Sequence, residues 1–301
     1  MANQSQIREQ VTAKIIAALE RDLLPWRQMW TSSHQGQHRN AVSGRAYKGV
    51  NVLLLSIAAM EFGFQSAVWA TFRQWNQMGC RIRRGECGTT LAVYIPINKQ
   101  TEKPDDVHDD EEEATFWILK KFVVFNASQV VGVAAERFQG IGLPETDGPS
   151  DPDYEPAEEL IRATGADIRY GGNRAFYSPS GDFICLPPRT SFSVGGFYST
   201  VFHELAHWSQ GRVDWDRAHG YAMGELIAEL VAAFLSAELG IPNSEPLDNH
   251  ASYLKHWLNE MRNDSNYIFK ASRQASKVCD FLLSFVKPAD TNAQPELIEA
   301  A

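Results

Sequence analysis

Residues 203–207 carry the pattern in this chain that most clearly points to chemistry. They read His203-Glu204-Leu205-Ala206-His207, which is His-Glu-x-x-His. Residues four apart lie on the same face of a helix, so the two histidines can offer ring nitrogens to one metal ion. Glu204 lies one residue further round, beside the metal and off the ligand face. Two imidazole ligands and a carboxylate that accepts a proton from water are what a metal-dependent hydrolase requires.

A pattern of five residues also occurs by chance, and the alternative is an amphipathic helix whose two histidines are solvated. The neighbouring residues argue against that alternative, because a largely buried helix is predicted by Val201, Phe202, Leu205, Ala206 and Trp208. Unpaired histidines buried side by side would be costly. A metal site is therefore the preferred interpretation.

A third protein ligand is expected, because a catalytic zinc site usually has three and a water molecule. Residues 221–235 predict a second helix, on which Glu225 and Glu229 are four apart and share a face. Glu225 lies in the first turn, where the helix dipole favours a carboxylate without any metal. Glu229 lies among apolar neighbours in the middle of the helix, where a buried carboxylate needs a cation. Glu229 is therefore the preferred ligand and Glu225 the preferred group to orient a histidine. The loop between the helices adds further candidates: Asp214, Asp216 and His219.

The composition predicts an ordinary soluble protein. The chain has 301 residues, of which 44% are hydrophobic and 22% charged, and it is long enough for two domains. Its four cysteines form no Cys-x-x-Cys pair, which predicts reduced thiols and excludes a disulfide framework. The N-terminus lacks the pattern of a signal peptide, and the most apolar run, residues 50–60, is too short to span a bilayer. We therefore expect a cytoplasmic protein without a membrane segment.

The net charge of −9 hides an asymmetry along the chain. Residues 1–100 hold twelve Lys and Arg against five Asp and Glu, a net charge of +7, which leaves −16 for the remainder. A basic front half on an acidic protein suggests an anionic partner for that half alone. The alternative is that the positive charge is scattered over a solvated surface.

Hydrophobic periodicity and turn residues predict the elements that must position these groups, in an α+β fold. Helices are predicted over residues 3–24, 50–62, 71–78, 156–164, 201–208, 221–235, 248–263 and 266–286. Strands are predicted near residues 91–97, 116–125, 167–170, 174–177 and 182–186. The acidic segment 98–115 is interpreted as a solvated insertion in a hairpin. The predicted organisation is a domain over residues 1–136, a linker over 137–156, a mainly helical domain with a small sheet over 157–290, and a tail over 291–301.

Aromatic and basic residues alternate through the front half. Such interleaving is typical of proteins that bind single-stranded nucleic acid, in which cations contact phosphates and exposed rings stack on unpaired bases. The alternative for each ring is a place in the core. The expected DNA contacts are Trp26, Arg27, Trp30, Arg39, Asn40, Arg45, Tyr47, Lys48, Arg73, Arg81, Arg83 and Arg84, with Trp69, Phe72 and Trp75 as further aromatic members of the pattern.

Both halves of the chain resemble the ArdC family of antirestriction proteins. Four segments resemble the N-terminal domain of that family: Pro25-Trp26-Arg27, residues 39–51, Trp69-x-Thr71-Phe72-Arg73-Gln74 and residues 84–90. Four more segments resemble its zincin-like metallopeptidase domain: residues 182–187, 197–208 and 225–230, and His250-x-x-Tyr253-x-x-x-Trp257. Related plasmid DNA primases carry a similar first domain. The resemblance implies single-stranded DNA binding, a metalloprotease fold, carriage on conjugative plasmids and protection of incoming DNA from host restriction.

The expected function is thus a DNA-guided metalloprotease that acts on a protein near the entering strand, such as a component of a restriction system. Zn²⁺ is the expected ion, with Mn²⁺ as the alternative. Glu204 is expected to be the general base, and Tyr221 or Tyr198 to donate a hydrogen bond to the oxyanion. Two other interpretations stay open. One is a non-catalytic protein that coats DNA and has a structural metal site, and the other is an acidic mimic of DNA, against which the basic front half weighs.

Overall fold

The computed structural model describes residues 3–26, 37–98, 115–132, 137–138, 154–215, 220–241 and 250–286. Most of the predicted acidic insertion and linker, and the whole predicted tail, lie outside these residues. The same holds for four predicted site residues, which are Arg27, Trp30, Asp216 and His219.

The first half of the chain combines three helices with two small sheets. The helices are α1 (Gln4–Leu19), α2 (Val50–Phe62) and α3 (Phe72–Gln77), and the strands are β1 (Arg39–Asn40), β2 (Val68–Thr71), β3 (Arg81–Ile82), β4 (Thr89–Asn98), β5 (Thr115–Asn126) and β6 (Val130–Val131). One sheet has the strand order β1-β2-β5-β4, and β3 pairs with β6 in the other.

The long β4–β5 hairpin is the frame of this half. Its strands are antiparallel and rich in β-branched and aromatic residues, with the register running from Thr89 opposite Val124 to Asn98 opposite Thr115. Asn51, near the start of α2, donates to the carbonyl oxygen of Ala92 at 2.7 Å and accepts from the Ala92 amide at 2.9 Å. The side chain of Asn51 therefore provides hydrogen-bond partners for backbone groups on the outer edge of β4, and it fixes α2 against the hairpin.

The second half is mainly helical and contains a three-stranded sheet. Its helices are α4 (Glu155–Thr164), α5 (Val194–Ser209), α6 (Gly220–Glu238), α7 (His250–Asn263) and α8 (Tyr267–Leu283), and its strands are β7 (Asp167–Tyr170), β8 (Phe176–Ser178) and β9 (Phe183–Leu186). The strand order is β7-β9-β8, so β8 lies at an edge. Ser193 caps α5 by accepting a hydrogen bond from the amide of Gly196. The prediction of an α+β protein with a mainly helical second half is confirmed.

A single hydrophobic cluster extends through both halves, from Ile7 in α1 to Leu282 in α8. Trp26 packs edge-to-face on Trp257 with ring centroids 6.0 Å apart. Of the described helices, α6 is the one long and apolar enough to cross a membrane. However, 78% of its apolar window is buried inside the protein, so its apolarity is explained by its place in the core.

Candidate metal centre

The motif helix α5 brings the two predicted histidines together. Both rings lie on the face of α5 that packs against α6, and His203 is almost completely buried. Their Nε2 atoms face each other at 3.2 Å. This separation is the geometry expected for residues four apart on a helix whose side chains converge on one point.

The two glutamates of α6 contact different sides of these rings. Glu225 approaches the converging nitrogens, with Oε2 at 3.6 Å from His203 Nε2 and Oε1 at 3.4 Å from His207 Nε2. Glu229 lies behind His203, with Oε1 at 3.2 Å from the opposite ring nitrogen, Nδ1. Glu225 thus completes a three-residue cluster with His203 and His207, whose ligand atoms all lie within 4.8 Å of one another.

The cluster has dimensions that fit a divalent ion. Metal–nitrogen bonds of about 2.1 Å in a tetrahedral site place neighbouring ligand atoms about 3.4 Å apart. The two Nε2 atoms are 3.2 Å apart, and the Glu225 oxygens lie 3.4 and 3.6 Å from them. Two imidazoles and one carboxylate form a donor set that suits zinc and other first-row divalent metals.

The geometry reverses the roles that the sequence favoured for the two glutamates. The sequence favoured Glu229 as the ligand and Glu225 as the orienting group, because Glu225 had an ordinary explanation in the dipole of its helix. In the folded chain α6 begins at Gly220 and has no acidic residue in its first turn, so Glu225 lies beyond that turn, where its carboxylate meets both Nε2 atoms. Glu229 lies one turn further along, on the Nδ1 side of His203. Asp214 is not part of the cluster.

Burial and charge shift the ionisation of Glu204 and of both histidines. Burial raises the pKa of Glu204 to about 7, although attraction to His203 and a hydrogen bond from the Tyr177 backbone oppose this. Interaction with the carboxylates of Glu225 and Glu229 raises the pKa of His203 to about 10 against the opposing effect of burial. Burial, followed by repulsion from His203, lowers the pKa of His207 to about 4. These shifts favour a positive charge on His203 over one on His207, and a bound divalent ion would replace that charge.

A cleft of about 840 Å³ opens onto the cluster, and it is lined by α5, α6 and the edge strand β8. Tyr221 stands at its mouth, 71% exposed, and its hydroxyl bonds to Tyr253 and Glu225, which raises the pKa of Tyr221. Tyr198 does not line the cleft, because its buried hydroxyl donates to Glu158 Oε1 at 2.8 Å and accepts from Arg189. The expectation that Tyr198 donates to an oxyanion is therefore wrong.

Sequence reasoning missed two groups that hold the site. The side-chain amide of Gln210 lies 3.0 Å from Nδ1 of His207 and so orients the second ring. Its position three residues after His207, on the same helical face, was a usable signal. The backbone of Tyr177 in β8 bonds to Glu204, and no sequence pattern indicates that contact.

The aromatic residues predicted to stack on DNA are mostly part of the core. Trp26 and Tyr47 are each 3% exposed, and Trp69 and Trp75 are fully buried. Trp26 packs on Trp257, and the hydroxyl of Tyr47 accepts from Asn40. Base stacking by these four rings, as the sequence pattern suggested, is therefore wrong. Of the described residues in this part of the chain, Gln37 donates to the carbonyl oxygen of Phe234 and Arg39 pairs with Glu238, both in α6 of the other half.

The predicted cationic contacts divide into two groups. In the first, Arg39 pairs with Glu238, Lys48 with Asp280, and Arg83 with Glu86. Asn40 is not a cation, and its side chain stabilises a turn, because its Oδ1 accepts hydrogen bonds from the amides of Val42 and Ser43. The second group is exposed and consists of Arg45, Arg73, Arg81 and Arg84.

Two family models together match most of the chain. The N-terminal domain of anti-restriction factor ArdC matches residues 5–125, and a zincin-like metallopeptidase matches residues 155–274. The uncharacterized protein y4eC of Sinorhizobium fredii is 32% identical over 96% of this chain and 95% of its own length. A DNA primase TraC of Escherichia coli is 34% identical over 92% of this chain, which spans 27% of the primase.

Solved structures show the same likeness. The metal-free antirestriction ArdC protein of the R388 plasmid superposes with a TM-score of 0.72 at 35% identity, covering 92% of this chain and 97% of that protein. Its Mn(II)-bound form superposes with a TM-score of 0.70 at 32% identity, covering 95% and 99%. The matches extend over both halves of the chain. The chain belongs to the ArdC family of antirestriction proteins.

Proposed function

We propose that this protein protects incoming DNA from host restriction by binding single-stranded DNA and by hydrolysing a protein at a metal-dependent peptidase site. The convergence of His203, His207 and Glu225 beside the buried Glu204, at the base of an open cleft, is the observation that carries this proposal. The proposed protein substrate is a component of a restriction system, and the proposed location is the cytoplasm.

His203, His207 and Glu225 would hold the ion, which we propose to be Zn²⁺ or Mn²⁺. The Mn(II)-bound form of the R388 protein supports a divalent metal in this family. When bound, such an ion would supply a Lewis acid that polarises a peptide carbonyl and lowers the pKa of water towards about 7. Gln210 would orient the ring of His207 through Nδ1, which lies 3.0 Å from its amide. Glu229 lies 3.2 Å from Nδ1 of His203 and would orient that ring by its charge.

Glu204 moves the proton in this proposal. Its pKa of about 7 lets it accept a proton from water near neutral pH and pass that proton to the departing amine. The exposed hydroxyl of Tyr221, beside Glu225, is placed to donate to the negative oxygen that develops in the reaction. The outer edge of β8 has no strand partner among the described residues, and it can pair with an extended peptide substrate.

Single-stranded DNA binding rests on family membership and on the charge of the first hundred residues. Two of the relatives are named as DNA primases, although this chain spans only 27% of one and 20% of the other. Exposed cations such as Arg45, Arg81 and Arg84 are available to phosphates.

The decisive experiment separates catalysis from binding through Glu204→Gln, with Glu159→Gln on the exposed face of α4 as a matched control. Each protein is assayed for metal content, for single-stranded DNA binding by gel shift, and for protection of a plasmid transferred into a restricting recipient. We expect Glu204→Gln to keep metal and DNA and to lose protection, because only the proton acceptor is removed. Full protection by Glu204→Gln would instead support a non-catalytic protein that coats DNA and has a structural metal.

A further inference from the structure

A second cleft, of about 910 Å³, lies where the β4–β5 hairpin faces α8. It shares no lining residue with the metal-binding cleft, although α6 borders both: Met223 and Ile227 line this cleft, whereas Glu225 and Glu229 line the other. It is therefore a separate surface that both halves of the chain build.

One wall of this cleft carries a row of positive charges. Lys270, Arg273 and Lys277 are spaced three and four residues apart and so share one face of α8, over about 10 Å of helix. Arg273 and Lys277 are exposed and have no acidic partner in the part of the chain that the structure describes. Lys270 Nζ is 3.1 Å from Asp264. The row is an electrostatic site for an extended anion.

Residues on the other elements add to the positive charge of this cleft. Arg8 of α1 also lines the cleft, and its buried Nε has no hydrogen-bond partner among the described residues. A buried guanidinium N–H without an acceptor is costly, so a ligand that supplies an oxygen there would be favoured. The one carboxylate that lines the cleft belongs to Asp280, and Lys48 already pairs with it at 2.7 Å.

The facing hairpin presents two exposed aromatic rings. Tyr94 is 37% exposed and Trp117 is 47% exposed, and both line the cleft. Tyr94 lies opposite Leu119, and Trp117 is two residues from Leu119, so both side chains lie on the same face of the sheet as diagonal neighbours, with a backbone spacing of about 7–8 Å. Exposed rings beside a row of cations are the combination that binds unpaired bases and their phosphates.

We propose that this cleft is the path of single-stranded DNA, with phosphates along α8 and bases stacked on Tyr94 and Trp117. The inference rests on the proposed function, because it takes DNA binding as given and names the surface. The bases would then stack on rings of the β4–β5 hairpin and not on the buried tryptophans. It also gives the metallopeptidase half some of the cations that bind phosphates.

The test measures the affinity of the full-length protein for a fluorescein-labelled oligothymidylate, by anisotropy over a range of salt concentrations. Trp117→Ala removes a stacking surface, and we expect the Kd to rise about tenfold with little change in the salt slope. The control is Phe62→Ala, an exposed ring outside the cleft.

The double variant Arg273→Ala, Lys277→Ala removes two cations that bind phosphates. We expect weaker binding and a salt slope reduced by about 0.7 for each cation removed. The control is Lys255→Ala, an exposed cation on α7 outside the cleft.

The outcomes separate the two claims. If the unmodified protein does not bind the oligonucleotide, the DNA half of the proposed function is wrong, and this inference with it. If that protein binds and both cleft variants bind equally well, the path is wrong while the function stands. If the double variant Arg81→Ala, Arg84→Ala loses binding while both cleft variants keep it, the DNA strand lies along residues 81–84 instead. Stronger competition by polyglutamate than by unlabelled oligothymidylate would assign the cleft to an acidic protein.

Discussion

His203 contacts two carboxylates of α6 through its two different ring nitrogens, and this decides what each carboxylate can do. Only a group on the Nε2 side can share an ion with His207, and that group is Glu225. Glu229 lies on the Nδ1 side at 3.2 Å without forming a hydrogen bond to that atom, so we expect it to orient the ring electrostatically and not to bind the ion.

This difference predicts unequal effects on metal affinity. Glu225→Ala removes a ligand, so we expect the affinity for Zn²⁺ or Mn²⁺ to fall by more than about 100-fold. Glu229→Ala removes an orienting group, for which a loss of about 10- to 100-fold is usual. Isothermal titration of metal-stripped protein measures both, with Glu159→Ala as a control. A larger loss in Glu229→Ala would return the ligand role to Glu229.

The sequence predicted the histidines and Glu204 because their relation depends only on helical spacing. It could not rank Glu225 and Glu229, because their roles depend on how α6 crosses α5. Trp26 was misassigned for the same kind of reason. Its covering residue, Trp257, is far away in the sequence, and no local pattern shows whether a tryptophan in a turn-rich segment will be buried.

At the scale of elements, Tyr198 joins α5 to α4 and to the turn that precedes α5. Its hydroxyl donates to Glu158 Oε1 at 2.8 Å and accepts from Arg189 Nη2 at 2.7 Å, and Arg189 also pairs with Glu158. This network lies at the beginning of the helix whose later turns carry His203 and His207. It therefore holds α5 in place without taking part in the chemistry.

The network predicts a specific response to alkaline pH. Burial and the bond to Glu158 raise the pKa of Tyr198 to about 12, above its ordinary value near 10. A pKa raised by folding stabilises the protein fully below the unfolded value, and that stability is lost as pH rises towards the folded value. We expect Tyr198→Phe to be less stable by about 1 kcal/mol at neutral pH. Between pH 10 and 12 its stability should then fall less steeply than that of the unmodified protein.

Urea denaturation at a series of pH values measures this response, with Tyr94→Phe on the exposed hairpin face as a control. In Tyr198→Phe the fall in stability with rising pH should become shallower without disappearing, because burial also raises the pKa of Tyr267 to about 12. Parallel curves for Tyr198→Phe and the unmodified protein would show that the network does not couple to ionisation.

Elements with strong periodicity were predicted within a few residues, including α2, α4, β4 and β5. The two-residue strands β1, β3 and β6 were not predicted. Such short segments have no measurable periodicity, and they are strands only because a partner lies beside them: β1 pairs with β2, and β3 with β6. Sheet order has the same origin, since it depends on contacts between segments that are far apart in the sequence.

At the scale of the whole molecule, the two halves that the family models match separately are joined by more than a linker. Thr12 donates to the carbonyl oxygen of Ser265 at 2.7 Å, and the amide of Gly49 donates to Ser276 at 2.9 Å. The hydrophobic cluster is continuous across the same boundary. Separating the halves would expose this shared apolar surface to water, so each half depends on the other for its stability.

We therefore expect metal binding in the second half to stabilise the first half as well. An ion at 100 times its Kd adds about 2.7 kcal/mol to the stability of whatever unfolds together with its site. In one cooperative unit, the amides of α1 and of β4–β5 that exchange only through complete unfolding should slow about 100-fold, as much as those of α8. Hydrogen exchange with mass spectrometry measures this with and without Zn²⁺, and His203→Ala is the control that should not respond. Slowing confined to residues 154–286 would mean that the shared core does not couple the two halves, and that each unfolds alone.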